Sequence, residues 1–69
     1  MSPDKLAYMA NQIGTFFESQ KNEDAVASIA DHIAKFWDPR MRRALLAHLD
    51  DVTLLPPVRQ AAERLKTPA

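Results

Sequence analysis

The sequence has no cysteine, one glycine, no long apolar run and no net charge. Without cysteine the chain can form neither a disulfide nor a thiolate metal site. No apolar stretch approaches the roughly 20 residues that a membrane-spanning helix requires, and the N-terminal residues lack the basic-then-apolar order of a signal peptide. The zero formal charge argues against a general attraction to nucleic acid or to anionic membranes. We therefore expect a cytoplasmic protein that binds neither nucleic acid nor a membrane.

What the chain does contain is the composition of a small helical domain. With 69 residues it forms one domain at most, which we assign to residues 1–69. Alanine is abundant, and no segment alternates apolar and polar residues for long enough to form a strand. The pattern predicts an all-α fold with a small three-helix core. We expect this core to be an antiparallel hairpin plus a third helix, followed by a short fourth C-terminal helix.

Capping signals and helical spacing give the expected helix bounds, which are about residues 3–20, 23–37, 39–50 and 57–66. Ser2 and Asp38 are suited to cap exposed N–H groups, and each is followed by a proline, which fits the first helical turn. Asn22 is the expected cap of the second helix. Pro57 is expected to start the fourth helix.

Apolar residues at helical spacing indicate which side of each helix is buried. In the first helix this side is expected to hold Leu6, Met9, Ala10, Ile13, Phe16 and Phe17. Gly14 lies on its flank, where the lack of a side chain suits the close approach of a neighbouring helix. In the third helix His48 is expected to face inward and Leu46 outward. Trp37, at the junction of the second and third helices, is expected to be largely buried.

The densest group of unusual residues lies at this junction. We define the elbow as Trp37, Asp38 and Pro39. After it, Arg40 and Arg43 lie three apart on one side of a helix, and a guanidinium can bind a carboxylate through two parallel hydrogen bonds. Phe36 adds an apolar anchor of the kind found in interface hot spots. We expect Phe36, Arg40 and Arg43 to contact a partner and Arg42 to matter less; alternatively, Arg40 pairs with Asp38 or Asp31 within the chain.

The outer face of the first helix is a second candidate contact surface. It carries polar but uncharged residues around Tyr8. Depletion of charge and the presence of tyrosine are typical of protein interfaces, although an ordinary polar face is an equally acceptable interpretation. Tyr8, the outward Leu46 and the pair Leu54-Leu55 also predict a symmetric dimer of the isolated chain at high concentration.

Charge is distributed unevenly along the chain. Residues 18–31 include four acidic residues and one lysine, whereas residues 35–43 include four basic residues and one aspartate. Such a dipole favours an oriented encounter with a partner, or antiparallel self-association.

The sequence shows no catalytic or metal-binding constellation. His32 and His48 are far apart in the chain, and position 36, where a helical ligand partner of His32 would lie, is a phenylalanine. Arginines after a helical corner are typical of helix-turn-helix DNA-binding proteins, but three arginines are few for a footprint that usually needs about six phosphate contacts or more. A small nucleic-acid-binding regulator and a free-standing homodimeric interaction module stay as alternatives to a protein-binding domain within a larger complex.

Three segments resemble a known family. They are Lys5-Leu6 with Met9-Ala10-Asn11-Gln12-Ile13 and Phe16-Phe17, then Ile29-Ala30-Asp31-His32-Ile33, and then Phe36-Trp37-Asp38-Pro39-Arg40-Met41-Arg42. Together they are similar to the delta subunit of the soluble, NAD-dependent, molybdenum-containing formate dehydrogenase, from Lys5 to about Leu49. After Asp50 the chain departs from the family pattern of a glycine-bearing loop, because it has no glycine there and a Pro56-Pro57 pair.

The resemblance implies a non-catalytic accessory subunit that supports assembly, stability or cofactor maturation of a multi-subunit enzyme. Its partners would be the catalytic and diaphorase subunits, which together oxidise formate to carbon dioxide with NAD. Those larger subunits would hold the molybdenum bis-molybdopterin guanine dinucleotide cofactor, the iron–sulfur clusters and FMN. The resemblance therefore assigns no cofactor, metal ligand or catalytic residue to this chain.

Overall fold

The computed structural model describes residues 2–21 and 24–66, and within these ranges it contains helices and no strands. The helices are α1 (Pro3–Glu18), α2 (Ala25–Phe36), α3 (Pro39–Ala47) and α4 (Pro56–Lys66). The predicted all-α fold is therefore confirmed. None of the helices in the described ranges combines the length and the apolarity needed to cross a lipid bilayer.

Two of the helices begin at the caps that the sequence predicts. The hydroxyl oxygen of Ser2 accepts a hydrogen bond from the backbone N–H of Lys5 at 3.2 Å. A carboxylate oxygen of Asp38 accepts one from the backbone N–H of Met41 at 3.0 Å. In both cases a proline occupies the first helical turn, where its missing N–H costs no hydrogen bond.

The start of α2 differs from the prediction. The helix begins at Ala25, and Asp24 caps it by accepting a hydrogen bond from the backbone N–H of Ala27 at 3.1 Å. A carboxylate suits the positive end of a helix dipole better than a neutral amide does. Asn22, the predicted cap, lies outside the described residues.

The first and third helices end earlier than predicted. α1 stops at Glu18, and α3 stops at Ala47, after which residues 48–51 form a turn. His48 is consequently exposed, and its Nδ1 lies 3.1 Å from a carboxylate oxygen of Asp51. The prediction that His48 faces inward is wrong because the helical register of α3 does not continue to that residue.

All four helices contribute to the core. The largest fully buried side chains are Leu6, Ile29, Ile33, Leu45 and Val58. α4 packs most extensively on α2, and the small residues Ala61 and Ala62 beside Val58 are completely buried there. Small side chains allow two helices to approach closely, which raises the packing density between them. The fourth helix therefore has a larger part in the core than the short addition that the sequence predicts.

The linker between α3 and α4 is packed as well. Leu54 is buried and Leu55 is half-buried, so Leu54 is not available for the dimer contact predicted for it. The Asn11 side chain on α1 holds this linker, because its amide nitrogen donates to the carbonyl of Thr53 and its amide oxygen accepts from the N–H of Leu55, both at 3.0 Å. The last helix starts at Pro56, one residue before the predicted position.

Three of the four buried residues of α1 are small. Its buried residues are Leu6, Ala7, Ala10 and Gly14. Val58 of α4 lies so close to Gly14 that a Cβ atom there would overlap its Cγ2, which confirms the predicted close approach. Met9 and Phe16, predicted to face inward, are exposed instead. The buried side of α1 is the one that carries Ala7, Ala10 and Gly14, so these two larger side chains lie outside it.

Candidate docking surface

Four rings form a row across the surface of α1 and α2. The row consists of Phe16, Phe17, His32 and Phe36, whose successive ring centroids are 5.1, 6.0 and 4.8 Å apart. Aromatic rings at these separations attract one another. The aromatic row therefore links α1 to α2 through the contact between Phe17 and His32, and its end members, Phe16 and Phe36, are exposed.

An open groove of about 450 Å³ lies beside the aromatic row. The described residues that line it are Met9, Gln12, Ile13, Phe16, Phe17, His32 and Trp37. None of them is an acid, a lysine or an arginine, and Gln12 and His32 are the only polar members. The groove thus offers a largely apolar, aromatic surface between two helices.

Large apolar side chains are exposed on this part of the molecule. The exposed fraction is 41% for Met9, 59% for Phe16 and 72% for Phe36. Tyr8 is 65% exposed, and its hydroxyl oxygen accepts a hydrogen bond from the amide nitrogen of Gln12 at 3.0 Å, which places it next to a groove residue. Tyr8 and Phe36, both predicted to bind a partner, are therefore accessible, and their contact role stays a prediction.

The elbow is built around a buried tryptophan. Trp37 is only 5% exposed, in agreement with the prediction, whereas Asp38 and Pro39 lie on the surface. Nη1 of Arg42 donates to the carbonyl oxygens of Ala34 at 2.9 Å and of Trp37 at 2.8 Å. Carbonyls at the end of a helix have no partner within the helix, so Arg42 satisfies two such groups and has a structural role.

The other two arginines are free. Arg40 and Arg43 are exposed on α3, and neither forms a hydrogen bond or an ion pair with the residues that the structure describes. Asp31 pairs with Lys35 at 3.1 Å, and the Asp38 carboxylate caps α3. The alternative in which Arg40 pairs with Asp31 or Asp38 is therefore wrong, and both guanidinium groups can bind an external acceptor.

Leu46 does not face outward as predicted. It is half-buried and packs against the core. The reason is that α3 contacts both α1 and α4, so that more than one side of this short helix is covered. Leu46 consequently adds little area to a contact surface.

The sequence pattern predicts neither the groove nor the place of His32 in the aromatic row. Met9 and Phe16 are predicted to lie in the core because both follow the spacing of the largest apolar side chains. The signal that could have revealed the groove is the spacing of Ala7, Ala10 and Gly14, since small residues on one helix face mark close helix–helix contact. Such a contact leaves the neighbouring large side chains at the edge of the interface.

Polar chemistry is sparse in the described part of the chain. Among residues 2–21 and 24–66, no three His, Cys, Asp or Glu side chains come together as a group that could hold a metal ion. No polar or charged side chain in these ranges is buried. The chemistry that this surface offers is aromatic and aliphatic contact beside two free guanidinium groups.

Comparison with known families bears on these features directly. The model of the family described as NADH-dependent formate dehydrogenase delta subunit (FdsD) matches residues 5–62. The match spans the groove, the elbow and more than half of α4, and so continues beyond Asp50, after which a departure from the family pattern is expected from the sequence. Comparisons with curated proteins and with solved structures gave no match. The chain belongs to the family of delta subunits of NADH-dependent formate dehydrogenase.

Proposed function

We propose that this chain is a non-catalytic accessory subunit of formate dehydrogenase, which binds the larger subunits through the groove and the exposed members of the aromatic row. The observation that carries the proposal is the exposure of Phe16 and Phe36, at 59% and 72%, in a domain whose other large side chains are mostly covered. Burying a phenylalanine side chain fully is worth about 1.5–3 kcal/mol. Covering these two rings would therefore contribute substantially to the affinity of a complex.

Charge and position add to this argument. Phe36 immediately precedes the elbow, and Arg40 and Arg43 follow it on the exposed side of α3. Aromatic side chains and arginines are the residues most enriched in interface hot spots. An apolar anchor with free guanidinium groups close to it in the sequence is typical of a protein docking site. A nucleic-acid role has less support, because Arg42 bonds within the chain and leaves only two of the three arginines near the elbow.

The proposed partners are the catalytic and diaphorase subunits, in the cytoplasm. The larger subunits hold the molybdenum bis-molybdopterin guanine dinucleotide cofactor, the iron–sulfur clusters, FMN and NAD. This chain has no cysteine and so offers no thiolate ligand for an iron–sulfur cluster. Its contribution is to assembly, stability or cofactor maturation, through protein–protein contacts.

The test is purification of the whole enzyme through a tag on its catalytic subunit, from cells that also produce this chain or a variant. Phe16→Ser combined with Phe36→Ser removes the exposed ends of the aromatic row. We expect it to lower the amount of this chain in the purified enzyme by roughly tenfold or more. Arg64→Ser, at an exposed site on α4, is the matched control and is expected to co-purify at the parental level.

The outcomes separate docking from folding. Thermal unfolding of each variant, followed by circular dichroism, shows whether the domain still folds. A folded double variant that co-purifies as well as the parent contradicts the assigned surface. A parent chain that does not co-purify with the enzyme at all contradicts the role as a subunit.

The cofactor content of the enzyme distinguishes the three accessory roles. If the chain acts in cofactor maturation, enzyme made without it contains less molybdenum or FMN from the start. If it acts in stability, the fresh enzyme has normal cofactor content and loses it faster on warming. If it acts in assembly, the larger subunits fail to purify together.

Self-association is a second candidate activity of the isolated chain. The same exposed rings favour it, because a free chain leaves them in water. Leu54 is buried and Leu46 is half-buried, so a dimer would use Tyr8 and the rings instead. Sedimentation of the isolated chain at high concentration tests this, and Phe36→Ser is expected to shift any dimer to monomer.

A further inference from the structure

We propose that the groove receives a single amphipathic helix of another formate dehydrogenase subunit, bound with its acidic N-terminal turn at the elbow. This inference rests on the proposed function and adds to it the chemistry and the orientation of the bound segment. Three features of the surface carry it: the scarcity of hydrogen-bonding groups in the groove, the aromatic character of its walls, and the two free arginines on α3, the helix that begins two residues after Trp37.

The scarcity of hydrogen-bonding groups in the groove favours a bound segment that is helical. Among the groove residues only Gln12 and His32 are polar, and the amide nitrogen of Gln12 already donates to Tyr8. The described residues include no strand, so no sheet edge is present on which an extended peptide could pair. An extended segment in the groove would leave its own N–H and C=O groups without partners, which is costly. A helix satisfies these groups internally and needs only side-chain contact.

The residues that line the groove favour a bound helix with apolar side chains on one side. Met9, Ile13 and Phe16 belong to α1, whereas His32 and Trp37 belong to α2 and the elbow. The groove therefore runs between two helices, a geometry that suits a third helix laid against both. Side chains such as Leu, Met or Phe at positions i, i+3 or i+4, and i+7 of the bound helix would enter it.

The free arginines set the charge and the direction. Trp37 lines the groove, and α3, which carries Arg40 and Arg43, begins only two residues later at Pro39, so this helix starts next to the Trp37 end of the groove. Arg40 and Arg43 have no acceptor among the described residues, and the nearby Asp31 and Asp38 carboxylates are engaged with Lys35 and the cap of α3. A carboxylate on the bound segment would complement both guanidinium groups. Acidic residues are most favourable in the first turn of a helix, which places that turn at the elbow.

The experiment uses the whole enzyme with a photo-crosslinking residue in the groove. Phe16→p-benzoylphenylalanine keeps an aromatic ring at an exposed groove position, and Gln60→p-benzoylphenylalanine on α4 is the control site. The complex is purified through the tagged catalytic subunit and irradiated, and the crosslinked peptides are identified by mass spectrometry. We expect position 16 to label one helical segment of another subunit with Asp or Glu in its first turn. Position 60 is not expected to label that segment.

A charge reversal tests the direction. Arg40→Glu with Arg43→Glu is expected to lower the crosslinking yield from position 16 by roughly tenfold, whereas Arg64→Glu leaves it unchanged. Crosslinks to a second copy of this chain, to a non-helical segment, or to nothing while the chain still co-purifies would overturn the inference and leave the proposed function standing. An unchanged yield in the charge-reversed variant would overturn the assigned direction. Failure of the parent chain to co-purify would overturn both proposals.

Discussion

The guanidinium group of Arg42 donates a hydrogen bond of 2.8 Å to the carbonyl oxygen of Trp37, so that α3 holds the end of the preceding helix. The same Nη1 atom donates to the carbonyl of Ala34 at 2.9 Å. The corner between α2 and α3 is therefore fixed by a side chain as well as by the Asp38-Pro39 sequence. Of the three arginines after the elbow, this one serves the fold, and Arg40 and Arg43 remain available for contacts outside it.

Arg42→Ala is predicted to destabilise the domain by about 1.5–3 kcal/mol, because it removes two charge-assisted hydrogen bonds from carbonyls at the end of α2. The measurement is urea unfolding of the isolated chain, followed by circular dichroism. Arg43→Ala is the matched control, since Arg43 has no such bond within the described residues. Equal unfolding midpoints for the two variants would show that the Arg42 bonds contribute nothing to stability.

Alanine substitution is predicted to have very different effects on stability at two adjacent aromatic residues. Trp37 is 5% exposed and Phe36 is 72% exposed. Trp37→Ala is predicted to cost about 3–5 kcal/mol, which is enough to unfold a domain of this size. Phe36→Ala is predicted to cost about 1 kcal/mol or less, because the ring is exposed and the substitution removes its contact with His32. Thermal unfolding of both variants checks this, and a Trp37→Ala variant that melts with the parent would contradict the core role of the indole ring.

The sequence predicts local features of this fold better than it predicts how the helices face one another. The starts of α1 and α3 are readable because a cap and a proline act on their own neighbours, as at Ser2 and Asp38. The burial of Trp37 can be predicted from the sequence because it follows from its position at a helix junction. The orientation of α1 is not readable from hydrophobicity alone, since that criterion ranks Phe16 above Gly14 although Gly14 is the buried one.

The candidate site was only partly predictable for the same reason. Phe36, Arg40 and Arg43 stand out in the sequence because they adjoin a clear helix break. The groove depends on which side of α1 is buried, and that side is fixed by contacts between residues distant in the chain, such as Gly14 with Val58 and Ile29. The structural role of Arg42 depends likewise on the angle between α2 and α3, which no local pattern encodes.

Gly14→Ala is predicted to destabilise the domain, although alanine is favoured over glycine in a helix by about 1 kcal/mol. The added Cβ would overlap Cγ2 of Val58, and overpacking a core typically costs about 1–3 kcal/mol. Urea unfolding of the variant measures the net effect. A more stable variant would show that Val58 of α4 can shift to make room for the added Cβ without a loss of stability.

A double-variant cycle identifies the cause of that loss. Val58→Ala removes the methyl group that the new Cβ would meet, at the expense of a cavity. If overlap is the cause, Gly14→Ala combined with Val58→Ala is predicted to be more stable than the sum of the two single effects implies. Strict additivity would instead assign the loss at Gly14 to a cause other than this contact.

The last prediction concerns the two free arginines. Arg40→Ala combined with Arg43→Ala is predicted to leave the stability of the isolated domain within about 0.5 kcal/mol of the parent, because neither side chain has a partner within the described residues. The same variant is predicted to bind the larger subunits with an affinity lower by roughly tenfold or more, since a carboxylate on the partner would lose the two guanidinium groups that bind it. Retention in the tag-purified enzyme after a salt wash measures this.

Arg42→Ala and Arg64→Ala complete the comparison. Arg42→Ala removes one positive charge near the elbow but acts through folding, so it is predicted to lower the melting temperature of the isolated domain. Arg64→Ala removes a charge from the exposed end of α4 and is predicted to change neither stability nor retention. The double variant alone should combine parental stability with weak retention. If it melts early instead, the arginines at positions 40 and 43 support the fold, and their assignment to docking is wrong.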